Sequence, residues 1–113
     1  IPGNYKIYVE DGILTEKIKV AIASLTDWAD YVFEEDYDLK ALEEVEQHIQ
    51  AKGHLHNTPS AEQLVAEGGI ELKAATVNQQ EKIEELFLHM IDMNKRLKTL
   101  EEENKELRAA LKK

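Results

Sequence analysis

Residues 83–111 read IEELFLHMIDMNKRLKTLEEENKELRAAL, and the spacing of their apolar positions decides the architecture. With Ile83 at heptad position a, the a positions are Ile83, Met90, Leu97, Asn104 and Leu111. The d positions are then Leu86, Met93, Leu100 and Leu107. All of these except Asn104 are apolar, which is the pattern of a left-handed coiled coil. Residues 77–113 contain neither Gly nor Pro, so they read as one helix of about 37 residues, roughly 55 Å long.

The flanking charges give a direction. In a parallel pair, a g side chain faces the e side chain five positions later on the neighbour. Arg96 at g faces Glu101 at e, and Glu103 at g faces Arg108 at e; both pairs are opposite in sign and favour parallel, in-register strands. Each exposed pair contributes only about 0–1 kcal/mol, so they set orientation more than stability. Asn104 at a costs stability unless it meets its own copy across the axis, where it fixes register. The seam alone leaves two and three strands open. Asn at a suits a dimer, whereas Ile83 is the only β-branched a residue. Phe87, Leu88 and Ile91 add apolar surface outside the seam, which suits more helices or a globular part folded back on the first half of the helix. Met90 and Met93 are simplest as seam core.

Working outward, the chain divides by charge. The whole carries 14 Lys+Arg against 23 Asp+Glu in 113 residues, a net of −9, which argues against a nucleic-acid surface. Residues 94–113 are nevertheless net +3, so residues 1–93 are net −12. No apolar run approaches the ~18 residues of a membrane span. The absence of cysteine excludes a disulfide scaffold and thiolate metal sites. The chain opens Ile1-Pro2-Gly3, without an initiator Met or a signal peptide, and reads as a fragment or processed product whose location is not encoded here.

Three segments are expected. Residues 1–22 read as a β-hairpin at the end of a fibre shaft: Tyr5, Ile7 and Val9 alternate with polar neighbours, Asp11-Gly12 is a type I′ turn signal, and Leu14, Ile18, Val20 and Ile22 continue beyond it. Such a hairpin is marginal in water and needs a partner surface. Residues 23–76 read as a small acidic helical body. Trp28, Tyr31, Phe33 and Tyr37 are its aromatics, with Trp28, Phe33 and Phe87 as anchors between body and stalk. Leu39, Leu42, Val45 and Ile49 predict a helix over 39–52, with Asp38 as N-cap and Gly53 beyond its end. Ser60-Ala61-Glu62-Gln63 has capping-box spacing for a short second helix ended by Gly68-Gly69. Residues 70–76 read as a connector and 77–113 as the coiled-coil helix. The expected fold class is therefore α+β: hairpin, small helical body, long parallel coiled coil.

Several stretches resemble a known family. Gly3-Asn4-Tyr5-Lys6-Ile7-Tyr8-Val9 with Gly12-Ile13-Leu14-Thr15-Glu16-Lys17 resembles the end of a fibre shaft. Trp28-Ala29-Asp30-Tyr31-Val32-Phe33, Tyr37-Asp38-Leu39, Leu42-Glu43-Glu44-Val45-Glu46, Gly53-His54-Leu55, Pro59-Ser60-Ala61 and Glu81-Lys82-Ile83-Glu84-Glu85-Leu86 resemble the C-terminal region of tail-fibre-like surface proteins of Bacteroides-type bacteria and their phages. That region is similar in turn to the intramolecular chaperone domains of phage tailspikes and fibres. The resemblance implies a homotrimer, with a dimer as the alternative, that holds the upstream fibre shaft of the same chain in register on a virion or bacterial cell surface. Some such domains release themselves with a Ser nucleophile and a Lys base in a Ser-Asp-x-Arg-x-Lys type motif. The nearest stretch here, Ser24-Leu25-Thr26-Asp27-Trp28-Ala29, lacks the Arg and Lys, so no catalytic residue is carried over.

Other chemistry finds little footing. Asp27, Asp30, Glu34, Glu35, Asp36 and Asp38 lack a calcium-loop spacing and read as a solvated acidic face. His54 and His56, two apart, would point to opposite sides of an extended loop without a third ligand, although a His near a three-fold axis could meet its copies. Gly68-Gly69 is a helix stop and not a phosphate loop. The expectation is an assembly module with no enzyme activity, cofactor, metal, nucleic-acid partner or membrane insertion. A receptor- or glycan-binding tip around His54–Pro59 and a self-cleaving domain are the alternatives.

Overall fold

A computed structural model describes residues 3–112. Ile1, Pro2 and Lys113 lie outside the described residues, and with them the Ile1-Pro2 start on which the fragment reading rests and the outermost ends of the 1–22 and 77–113 segments. Two 3-10 turns, Leu25–Asp27 and Ala29–Phe33, precede three helices: α1 (Leu42–Lys52), α2 (Ala61–Ala66) and α3 (Leu72–Leu111). Among the described residues there is no strand, which corrects the expected α+β class: the chain is helical, and the hairpin over 1–22 is not formed.

The reason lies in what the segment lacks. A type I′ turn needs positive φ at both central residues. Gly12 has φ 141°, but Asp11 is not in the positive region. No layer of the same chain covers the apolar side chains, and Tyr5, Ile7, Ile13, Leu14 and Ile18 are all exposed. The hydrogen bonds among the described residues of this segment are local. Tyr8 Oη donates to Gly3 O at 3.1 Å and accepts from Tyr5 N–H at 3.3 Å, with the two rings edge to face at 6.1 Å. Alternation thus marks a segment suited to pairing without supplying the surface that pairing needs.

Helix α1 begins three residues later than the apolar spacing predicts. Its N-cap is Ala41, with no side-chain cap, and not Asp38. Leu39 and Lys40 remain ahead of the helix and instead line a small cavity of about 90 Å³ between α1 and α3, with Val45, Leu55, Leu86 and His89. Gly53, at φ 78°, closes the helix by donating to Ile49 O at 2.7 Å, a left-handed cap that a side chain would strain. At α2, Ser60 Oγ accepts from Gln63 N–H at 3.2 Å and Gln63 Oε1 accepts from Ser60 N–H at 2.7 Å, forming the reciprocal capping box.

Helix α3 starts at Leu72, so most of the expected 70–76 connector is helical. Glu71 is the N-cap, its carboxylate accepting from Ala74 N–H, and Leu72-Lys73-Ala74-Ala75 are strong helix formers with no breaker after Gly69. The 40-residue helix, about 60 Å long, dominates the shape. The molecule measures 78 × 31 × 30 Å with a radius of gyration of 21.4 Å, against about 13 Å for a compact domain of this length. Among the described residues only Ala29 and Val32 are fully buried apolar side chains. A single chain therefore has very little core of its own.

Candidate oligomerisation surface

The body and the stripe occupy different faces of α3. Segment Ala29–Phe33 packs on the first half of the helix. The buried α3 side chains are Glu84 and Glu85, at heptad positions b and c; Val77 (b), Asn78 (c), Glu81 (f) and Leu88 (f) are half-buried, as are Lys73 and Gln80 at e and Ala75, Lys82 and His89 at g. Positions b, c and f face away from a coiled-coil seam, and e and g flank it. Ile83, Leu86, Met90 and Met93 are 46–60% exposed beside the body. Leu97, Leu100, Leu107 and Leu111 continue the stripe past it and are exposed as well. The outer face of α3 is the more deeply covered; the stripe keeps about half of its surface open beside the body, where Ile83 and Leu86 edge the cavities under it, and lies open beyond it.

What holds the body to that polar face is a hydrogen-bonded network. Tyr31 Oη donates to Glu81 Oε2 at 2.7 Å. Tyr37 Oη donates to Glu85 Oε2 and lies 3.3 Å from Glu81 Oε1. Lys82 Nζ lies 3.1 Å from Glu81 Oε1 and 3.3 Å from Glu85 Oε1. His56, which is buried, brings Nε2 to 3.3 Å from the same Glu85 oxygen. Gln80 Nε2 donates to Glu84 Oε2 at 2.9 Å. The loop before α2 is fastened beside it, with Asn78 Nδ2 donating to Asn57 O at 2.7 Å and Thr58 Oγ1 standing 3.2 Å from Asn78 Oδ1.

The electrostatics follow from burial and these contacts. Burial, then the Glu81 carboxylate, pushes the Tyr31 phenol up to about 12. Burial, then Glu85, raises Tyr37 as well. Burial opposes the charge on Glu81, but hydrogen bonds from Tyr31 and Lys82 outweigh it and hold the carboxyl below its ordinary range. On α1, His48 stands edge to face with His54 at 5.3 Å and His56 at 6.4 Å. Burial and then the nearby His54, His56, Lys52 and Lys40 push His48 below its usual range.

The anchors expected from sequence sit differently from the network. Trp28 is half-buried, while Phe33 and Phe87 are 55% and 54% exposed. Docking is carried by Ala29, Tyr31, Val32, Tyr37 and His56. The two tyrosines were visible only as aromatics in an acidic connector; a donor such as Tyr31 or Tyr37 paired with an acidic f or c position fifty residues away leaves no local signature. Of the charge-pair residues, Arg96 already pairs within its own helix, Nε to Asp92 Oδ2 at 3.1 Å, and both are exposed. Asn104, Glu101, Glu103 and Arg108 are exposed on the bare half of α3. His56 faces Glu85 of its own chain, away from the stripe, and among the described residues no acidic or histidine group is arranged to hold a metal. Ser24 Oγ is engaged as a turn cap, 2.9 Å from Thr26 Oγ1. No described helix is long and apolar enough to cross a membrane. Comparison with family models, with curated proteins and with solved structures finds no match to this chain.

Proposed function

We propose that this chain is a self-association module whose α3 helices pack side by side, parallel and in register, as a homotrimer. The observation that carries the reading is the division of α3. The body's deepest contacts fall on positions b, c and f, it reaches the stripe at Ile83 and Leu86, and most of the a/d stripe from Ile83 to Leu111 stays open for another helix. Fully burying a Leu, Ile or Met side chain is worth about 1.5–3 kcal/mol. The apolar stripe residues from Ile83 to Leu107 are roughly half exposed and Leu111 more so, so each retains ~1 kcal/mol for association.

The role that fits is registration. Joining the stalks holds the N-terminal segments of the copies at one end, at an effective concentration of about millimolar. Non-local pairing upstream, otherwise slow, then starts from matched chains. The resemblance to chaperone domains of fibres is what suggests a fibre shaft or surface adhesin, and three chains over two. Sedimentation equilibrium at two concentrations is the test. A species of three times 12.9 kDa is expected; a single chain at tens of micromolar overturns the reading.

A further inference from the structure

Beside the stripe lies a largely apolar groove of about 740 Å³, walled by α2, the loop before it and α3. Leu55, Pro59, Leu64, Ile70, Ala75 and Ile83 line it. Ile83 is also the first a residue of the stripe, so groove and stripe form one continuous surface. The α3 residues in its wall include Ala75 and Lys82, both at g, which puts the groove on the g flank of the helix. On the e flank Lys73 and Gln80 are half-buried, and Phe87, the only Phe, Tyr or Trp of α3, stands 54% exposed.

Resting on the parallel, in-register association proposed above, we infer that Phe87 of one copy seats in this groove of the next, so that each body is completed by its neighbour. A g residue faces the e residue five positions on in a parallel partner, and Lys82 therefore faces Phe87 of the neighbouring copy. Helical side chains lean toward the N-terminus, which aims that ring at the level of Ile83 and Leu55 and into the groove rather than past its end. The contact is heterologous: an e edge that presents Phe87 against a g edge that carries the groove. Repeated by rotation it closes a ring around the stripe. It also accounts for an aromatic at an otherwise polar outer register, among e residues that are Lys73, Gln80, Asn94, Glu101 and Arg108.

The test places benzoyl-phenylalanine at position 87, an exposed site where an aromatic is retained, and mixes the variant with isotope-labelled chains. Its oligomeric state is measured first. Irradiation should join chains, with cross-linked peptides in residues 55–64 or 75–83 of the other copy. An oligomer whose inter-chain cross-links fall only elsewhere overturns the groove contact and leaves the stripe intact. A wild-type chain that stays single overturns both. Leu64→Glu, in the groove and outside the stripe, is the second variant. It should raise the midpoint concentration of association roughly tenfold or more with helix content unchanged; an unchanged midpoint overturns the groove contact even where the photoprobe disturbs assembly.

Discussion

Leu100→Ala removes one d layer of the stripe at a point where no body residue touches α3. Leu100 is 54% exposed in the single chain, so about half of the side chain is left for the seam, worth ~1 kcal/mol in transfer alone. Emptying a packed layer leaves a cavity as well, bringing the loss to ~2 kcal/mol per chain, the low end for buried Leu→Ala. A trimer contains the layer three times, for ~6 kcal/mol in all. The midpoint concentration of a monomer–trimer equilibrium follows the square root of its dissociation constant, so it should rise by roughly two orders of magnitude. Sedimentation equilibrium across a wide concentration range reads this directly. Lys98→Ala, at the outward b position, is the control and should leave the midpoint in place. An unchanged midpoint for Leu100→Ala refutes the assignment of the d layer, and an equal shift in both variants shows that helix propensity, not the seam, is being measured.

Asn104→Leu should raise the thermal midpoint, since a polar seam residue is removed, while broadening the assembly to more than one strand number by sedimentation. A lower thermal midpoint would contradict a register role for Asn104. Tyr37→Phe takes a hydroxyl from the Glu85 carboxylate and should cost about 1–3 kcal/mol of body docking. Trp28, the single tryptophan and half-buried beside Ala29, should report the loss by fluorescence in urea while helix content holds. Docking should also depend on pH at both ends. Tyr31 is raised to about 12, so its contribution is complete below the free phenol value near 10 and is lost as pH rises from there toward 12. Glu81 and His48 are lowered: the Glu81 contribution is present above about 4.5 and fades below it, and the His48 contribution fades as pH falls below about 6.5. A Trp28 signal flat from pH 9 to 12 would remove the buried-phenol account.

The stripe was legible because a seven-residue apolar repeat is a local, periodic property that tertiary context seldom reverses. The α2 capping box was legible for the same reason, since Ser60 and Gln63 satisfy one another within a single turn. The true start of α3 carried a signal too, in Glu71 after Gly68-Gly69, but a helix beginning among small and mixed residues lacks the apolar period that marks the rest. Segment 3–22 shows the opposite failure: alternation and Asp11-Gly12 are local, whereas a sheet needs a second surface that this chain does not provide. The seat of the body on α3 was beyond reach of pattern reading. Glu81 and Glu85 look like solvated outer positions whether water or a tyrosine hydroxyl meets them. Only the fold brings Tyr31 and Tyr37 across some fifty residues to make them a docking face.

The stalk's polarity is the most exposed point of the account. Because the chain has no native cysteine, a single Leu111→Cys carrying pyrene labels one site at the far end of the stripe. Copies that run side by side in the same direction bring the dyes together and give excimer emission that disappears on dilution below the association midpoint. Monomeric pyrene emission alone at tens of micromolar, from separate chains or from neighbours running in opposite directions, contradicts it.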